Sequence, residues 1–263
     1  MNKLNGIILT LGLWLVLCGT ATATQLYVNE SGWWRDGGVF NASGTPIQAA
    51  VDAAREGDSI YVWNGSYTEN VDVCTAHLTL EGEGADVVSV TAAWAYDNVF
   101  EVTTDWVNIS GFAVRGATTR YTGIFLYNAD HCNISGNNVS GNSRGIRMHS
   151  SSKNTLWDNT ISGNMRNFGV SGDSLSHYIQ CIDTSNTVDG KPIYYWVDQQ
   201  DKVIPRDAGF VGVVNSTNIT VRDMALTKNY EGVLFVYANN SRIEVTTHLT
   251  QPDGMNGSPL SAS

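Results

Sequence analysis

The chain has 263 residues, with 25 acidic against 15 basic side chains and a net charge of −10. Only 15% of it is charged. That balance argues against a surface built to neutralise nucleic-acid phosphates or an anionic bilayer. The N-terminus reads as a secretory signal peptide over residues 1–23: Met1-Asn2-Lys3 is positive, Ile7 to Leu17 is apolar, and Ala21-Thr22-Ala23 offers a small-residue cleavage site. The apolar run is too short to span a bilayer. A lipid anchor on Cys18 is disfavoured, because Leu17 stands where a small residue is needed. Cleavage removes Lys3 and no acid, leaving a mature charge of −11. No second apolar run follows, so the expected product is exported, without a membrane span.

A helical period comes next. Pro46 to Asp58 places Ile47, Val51 and Ala54 on one face, and Gly57 ends it, predicting a helix over 46–56. A strand at Ser59 to Trp63 and a turn at Asn64-Gly65-Ser66-Tyr67 follow. The middle of the chain then repeats. Thr122 to Ser143 and Arg144 to Met165 superimpose Gly123 on Gly145, Ile124 on Ile146, Ile134 on Leu156, Val139 on Ile161 and Asn142 on Asn164. Weaker copies put Ile109 with Ile134 and Val114 with Val139, and Leu78 to Gly82 precedes them. Val221 to Leu234 restores the phase, with Val221 in the Ile134 place and Leu226 in the Val139 place.

Short runs with period-two alternation and a fixed spacing mark a solenoid of stacked strands, each coil burying its face on the next. Three strands of four or five residues and their turns fill one unit. Gly and Asn at fixed places provide left-handed corners, and Asn stacked on Asn can form an amide ladder. The helix is expected to close the open first coil, whose strand edges would otherwise recruit other chains. The predicted domain is residues 24–249, interrupted at 177–212, with an irregular or truncated stretch at 250–263.

Three cysteines remain after cleavage, Cys74, Cys132 and Cys181. The odd number rules out full internal pairing and leaves one disulfide open. Cys132, beside an inward Ile, reads as a small buried hydrophobe. No two histidines stand at metal-ligand spacing, and Met148 beside His149 reads as core, so no metal or other cofactor is expected. The acids Asp183, Asp189, Asp198, Asp201 and Asp207 read as solvated turn residues rather than a catalytic pair. Aromatics are the better lead. Tyr194, Tyr195 and Trp196 cluster in the interruption, and Trp33-Trp34 lies near the N-terminus. Either they contact a glycan or partner, or they pack on the solenoid flank. Tyr194 and Trp196 should share one face, Tyr195 the other. Asp189-Gly190 reads as the tight point of a hairpin projecting from the flank. Of the N-x-[ST] sites, Asn29, Asn41, Asn64, Asn215 and Asn239 are the expected glycosylation candidates.

The runs Ile47 to Ala54, Gly57 to Val62 and Gly65 to Val71 resemble the start of right-handed parallel β-helix proteins of the pectin-lyase-like superfamily, in its carbohydrate-binding and sugar-hydrolase (CASH) group. Ile182 to Trp196, with Gly190-Lys191-Pro192-Ile193-Tyr194-Tyr195-Trp196, is similar to a segment of NosD-like exported and surface-layer proteins. The resemblance covers roughly residues 45–247. It implies an all-β, single-stranded right-handed parallel β-helix of roughly seven coils. NosD proteins are associated with copper delivery to nitrous oxide reductase, a role no metal motif here supports. Polysaccharide hydrolases of the superfamily typically show Asn-Thr-Asp, Asp-Asp, Gly-His-Gly and Arg-Ile-Lys, none of which occurs. The expected function is therefore an exported or cell-surface module with a structural role, or one binding polysaccharide or surface proteins, without catalysis. The alternatives are a polysaccharide lyase or hydrolase, or a NosD-type periplasmic protein handling copper.

Overall fold

The computed structural model describes residues 23–244 and the strand Thr247–Leu249. Apart from Ala23, the expected signal peptide lies outside the described residues, as does the stretch 250–263.

Each coil passes through three parallel sheets before returning one level further along. Sheet A stacks Gln25–Asn29, Ser59–Val62, Thr79–Gly82, Asn108–Ser110, Asn133–Ser135, Thr155–Trp157 and Cys181–Ile182, with Gly32–Arg35 and Asn41–Ala42 antiparallel on its first edge. Sheet B begins at Gly65–Thr68 and continues through Val88–Thr91, Ala113–Arg115, Asn138–Ser140, Thr160–Ser162 and Thr187–Val188. Sheet C holds Val71–Val73, Phe100–Val102, Thr122–Tyr127, Arg144–His149 and Arg166–Ser171. The chain is a right-handed parallel β-helix, and the seven parallel strands of sheet A match the coil number expected from the repeat.

The register follows the sequence alignment. Ile109, Ile134 and Leu156 pair in one column, Val114, Val139 and Ile161 in a second, Ile124, Ile146 and Phe168 in a third. All are buried. Each such side chain contributes about 1.5–3 kcal/mol by leaving water. In the middle coils the strands of sheets A and B span three residues and those of sheet C six, unlike the four or five expected. Left-handed residues cut the short strands off: Gly136 (φ 62) and Asp158 (φ 56) follow sheet A, and Gly141 and Gly163 (φ 67 and 64) follow sheet B.

Asparagine takes both roles expected of it: Asn128 (φ 50) is left-handed at the corner after Thr122–Tyr127, while others are buried in ladders. Asn137, Asn159 and Asn186 are buried and form an amide ladder: the Asn159 and Asn186 side-chain carbonyls each accept from the backbone and side-chain N–H of the asparagine one coil earlier, and the Asn137 carbonyl accepts from the Phe112 amide. The ladder ends on Asp183, which accepts from Asn186. Asn142, Asn164 and Asn167 form a second ladder, ending on Asp189. Donors thus chain in one direction and finish on a carboxylate, which can only accept.

The helix spans Pro46–Ala53, shorter than the predicted 46–56 because Ala54 is already extended. Ile47, Ala50 and Val51 enter the same core as Leu26 and Ile60. Its first N–H groups, at Ile47 and Gln48, donate to the fully buried Glu69 carboxylate at 3.0 and 2.9 Å. All three expected cysteines are free, and Cys132 is buried, its thiol pushed up to about 11 by burial.

The segment after Val188 departs from the expected projecting hairpin. Asp189 and Gly190 are both left-handed (φ 46 and 78) and form a two-residue turn, as read from the sequence. Lys191–Val197 then lies antiparallel to Thr187–Val188, and Phe210–Val214 and Val233–Val236 add to it in parallel. Ile193, Tyr195, Phe210, Val214 and Leu234 face the solenoid core. From the other face, Val211 and Val213, with Tyr194, Trp196 and Phe235 packed against them, face a second core containing Ile219, Val221 and Leu226. The hairpin therefore turns the chain back to make a shared wall at the end of the first core. Val221 and Leu226 do not continue the Ile134 and Val139 columns. They pair forward with Ile243 and His248 in a separate coil stack.

Candidate functional site

The wall decides the fate of the aromatic cluster. Tyr195 is 6% exposed, donates its hydroxyl to the Tyr178 carbonyl at 2.7 Å, and has its ionisation pushed strongly upward by burial. It is core and offers no platform. Tyr194 and Trp196 share the opposite face, as alternation requires, and are half-buried against the second core. Tyr194 donates to Asp207 at 3.1 Å, and the Lys202 ammonium lies 5.5 Å from the Trp196 ring centroid. The acids of this region do not converge. Asp183 and Asp189 end the asparagine ladders, Asp198 accepts from Asn215, and Asp201 accepts from Asn218. Of the glycosylation candidates, Asn41, Asn64, Asn215 and Asn239 are exposed and Asn29 is half-buried.

The outer face of sheet C brings together what the sequence reading did not. Its strands alternate: Ile124, Leu126, Ile146, Met148, Phe168 and Val170 point inward, so Phe125, Tyr127, Arg147, His149, Gly169 and Ser171 point out. Phe125, Arg147 and Gly169 pair in one outward column, Tyr127, His149 and Ser171 in the next. The Arg147 guanidinium lies 5.3 Å from the Phe125 ring centroid. The rings of Tyr127 and His149 stack at 5.7 Å and 1°. His149 Nδ1 is 3.0 Å from the Ser171 hydroxyl. Burial, then the Arg147 charge, lower the His149 pKa.

Gly169 makes room for a residue from the second stack. A Cβ there would sit 2.8 Å from that of Tyr230. The Asn167 amide donates to the Lys228 carbonyl and the Tyr230 amide to that of Phe168, so this loop extends the edge of sheet C. The Tyr230 ring lies among three guanidinium groups, with Arg144, Arg147 and Arg166 at 5.2, 5.1 and 5.0 Å from its centroid. Arg120, Ser143, Arg144, Met165 and Arg166 line an open pocket beside it. The entering loops contribute exposed Trp94, Tyr96 and Tyr121, and are tied together where Thr118 and Thr119 donate to the Ala95 carbonyl. One signal was available in the sequence: Arg144 and Arg166 open successive positions of the repeat. Tyr230, from another coil stack, had none.

Glu231 follows Tyr230. Burial pushes its carboxyl up to about 7, with Arg147 and Arg166 pulling the other way. A carboxyl with a raised folded pKa favours folding below its unfolded value and loses that contribution as pH rises. Relative to a Glu231→Gln variant, the protein should thus lose up to about 3 kcal/mol between pH 4.5 and 7, measured by denaturant titration. A flat difference across that range would refute the assignment.

The stacked three-sheet coils define a right-handed parallel β-helix, a fold of the pectin-lyase-like class. Within that class, residues 50–190 match the family described as "Periplasmic copper-binding protein (NosD)", and the chain belongs to this NosD family. No curated protein matches it by sequence. Similar solved structures include an alginate lyase from Paenibacillus sp. str. FPU-7, with 14% identity, TM-score 0.46, and coverage of 85% of this chain and 76% of that one. The pectin methylesterase from Aspergillus niger has 15% identity and TM-score 0.42 over 85% and 89% of the two chains. PemA from Erwinia chrysanthemi has 11% identity and TM-score 0.38 over 87% and 90%.

Copper does not fit the described residues. No group of three or more His, Cys, Asp or Glu side chains among them could hold a metal ion. Met148, the soft donor next to His149, points into the core and is fully buried, while His149 points out, so adjacent positions on one strand cannot share an ion. No described helix is long and apolar enough to cross a membrane.

Proposed function

We propose that this protein is an exported β-helix module that binds polysaccharide across the outer face of sheet C. The observation that carries the reading is the outward row of Phe125, Tyr127, Arg147 and His149 on a rigid stack of paired strands. Aromatic faces suit sugar rings, and guanidinium groups suit their hydroxyl and acidic substituents. The periplasmic description of the family and the leader read at residues 1–23 support export. The reading assigns no bond-breaking step to this face: along the Phe125 column the carboxylates Asp72 and Glu101 stand at one end, and Arg147 lies beyond Phe125. The competing reading is a polysaccharide lyase or hydrolase.

A glycan array followed by calorimetry on the mature protein tests this. Phe125→Ala and Tyr127→Ala should each weaken binding about tenfold. Binding of no glycan, or binding indifferent to both changes, would sink the proposal. Release of reducing or unsaturated sugars would favour the enzyme.

A further inference from the structure

We propose that the open first edge of sheet A, with the aromatic patch beside it, is where two copies of this protein pair, edge strand against edge strand about a two-fold axis. The contact uses sheet A, so it does not depend on what the outer face of sheet C binds.

Each of the three sheets has an edge at the N-terminal end of the solenoid, and two of these are blunted. In sheet C, the Gln48 side chain of the helix donates to the Asp72 carbonyl and accepts from the Asp72 amide, at 3.3 and 2.7 Å. In sheet B, the Glu30 carboxylate accepts from the Ser66 amide at 2.7 Å. Such partners stop a strand of another chain from adding there. Sheet A instead ends on Asn41–Ala42, whose outer side pairs with no described strand. Ser43 donates to the Ser31 carbonyl, so antiparallel alternation turns the Ala42 N–H and C=O to the free side. Apolar surface lines this edge. Val39 is 84% exposed, Phe40 49% and Trp63 42%. The Phe40 ring meets Trp34 at 5.9 Å between centroids, and Trp34 meets Trp63 at 5.2 Å and Tyr27 at 5.7 Å, so the patch is continuous.

Charge selects the occupant. With a net charge of −10, two copies repel through most of their surface. Residues 37–51 contain no charged side chain, so like-charged copies can meet here without burying an ion. The same neutrality gives this edge nothing to steer a basic partner. A strand edge pairs antiparallel with its own copy about a two-fold axis, which closes the assembly at two chains. Phe and Trp bury about 150–250 Å² when fully covered, so the three exposed side chains offer roughly 300 Å² per copy. With so short a strand the contact stays below the about 1,200 Å² of a standard interface, and the dimer is weak and concentration-dependent.

Sedimentation equilibrium of the mature protein, made in a host that adds no glycan to Asn41, tests this from low micromolar to near-millimolar concentration. The expected mass rises from one chain to two and no further. Val39→Lys should weaken the dimer about tenfold, because it puts two charges into a small apolar contact. Ala42→Pro removes one outward N–H, leaves the inward bonds of Asn41, and should weaken the dimer by a similar factor. Both variants should keep the wild-type melting curve, since Val39 and the free side of the edge strand face solvent. A monomer at every concentration would overturn the proposal and leave the edge to a strand of another protein. Growth beyond two chains would overturn the two-fold closure. A dimer indifferent to both substitutions would place the contact elsewhere, and one sensitive to Val39→Lys alone would overturn the strand pairing.

Discussion

Replacing Asn159 with alanine is expected to cost about 3 kcal/mol or more, read as a shifted midpoint in chemical denaturation. Asn159 is fully buried. Its side-chain amide donates to the Ile134 carbonyl at 2.7 Å and to Asn186 at 2.8 Å, and its carbonyl accepts from the Asn137 amide and side chain, both at 3.1 Å. Truncation orphans groups in two neighbouring coils with no water to replace the partner. Asp158 next to it, exposed and left-handed (φ 56), should tolerate glycine with little loss. If Asn159→Ala unfolds at the wild-type midpoint, the ladder contributes nothing to the solenoid.

Tyr195→Ala should cost about 3–5 kcal/mol, and Trp196→Ala about 1–2 kcal/mol. The two residues are adjacent, yet they serve different cores. Tyr195 is enclosed at the end of the solenoid, its ring fitting where Gly212 has no side chain: a Cβ there would lie 2.5 Å from it. Trp196 is half-buried on the second face. Deleting residues 187–207 removes Ile193 and Tyr195 together and opens the end of the first core, so loss of cooperative unfolding is expected by circular dichroism. A shortened protein that still melts cooperatively would show that the wall is an ornament and that the solenoid closes without it.

The coils were legible because burial has period two within each strand and the coil repeats along the chain. A slip of one residue would turn Ile134 and Val139 outward, so the alternation and the spacing together leave one register. The helix, too, was legible from its apolar face. Its shorter end was not, because the extended turn at Ala54 leads into Asp58, which bonds to Arg35 and to the Thr24 and Arg55 amides. Asparagine was assigned to corners and ladders alike. The structure divides them: Asn128 turns a corner at φ 50, whereas the buried Asn137, Asn142, Asn159 and Asn164 run in the ladders, since a buried amide that can both donate and accept passes hydrogen bonds from coil to coil.

The solenoid, its register and the alternation that separates Tyr195 from Tyr194 and Trp196 follow from local periodicity and are written in the chain. The path of the strands after Gly190 is set by packing between distant parts of the chain. A sheet buried on both faces, as at Phe210-Val211-Gly212-Val213-Val214, reads as a continuous apolar run and carries no mark of which core each side chain enters. The tertiary structure also decided the arginine face. Arg120, Arg144, Arg147 and Arg166 come from three coils, and Tyr230 arrives from a second stack through a gap left by Gly169. Such convergence depends on how the two stacks dock, and no local pattern in the chain encodes that contact.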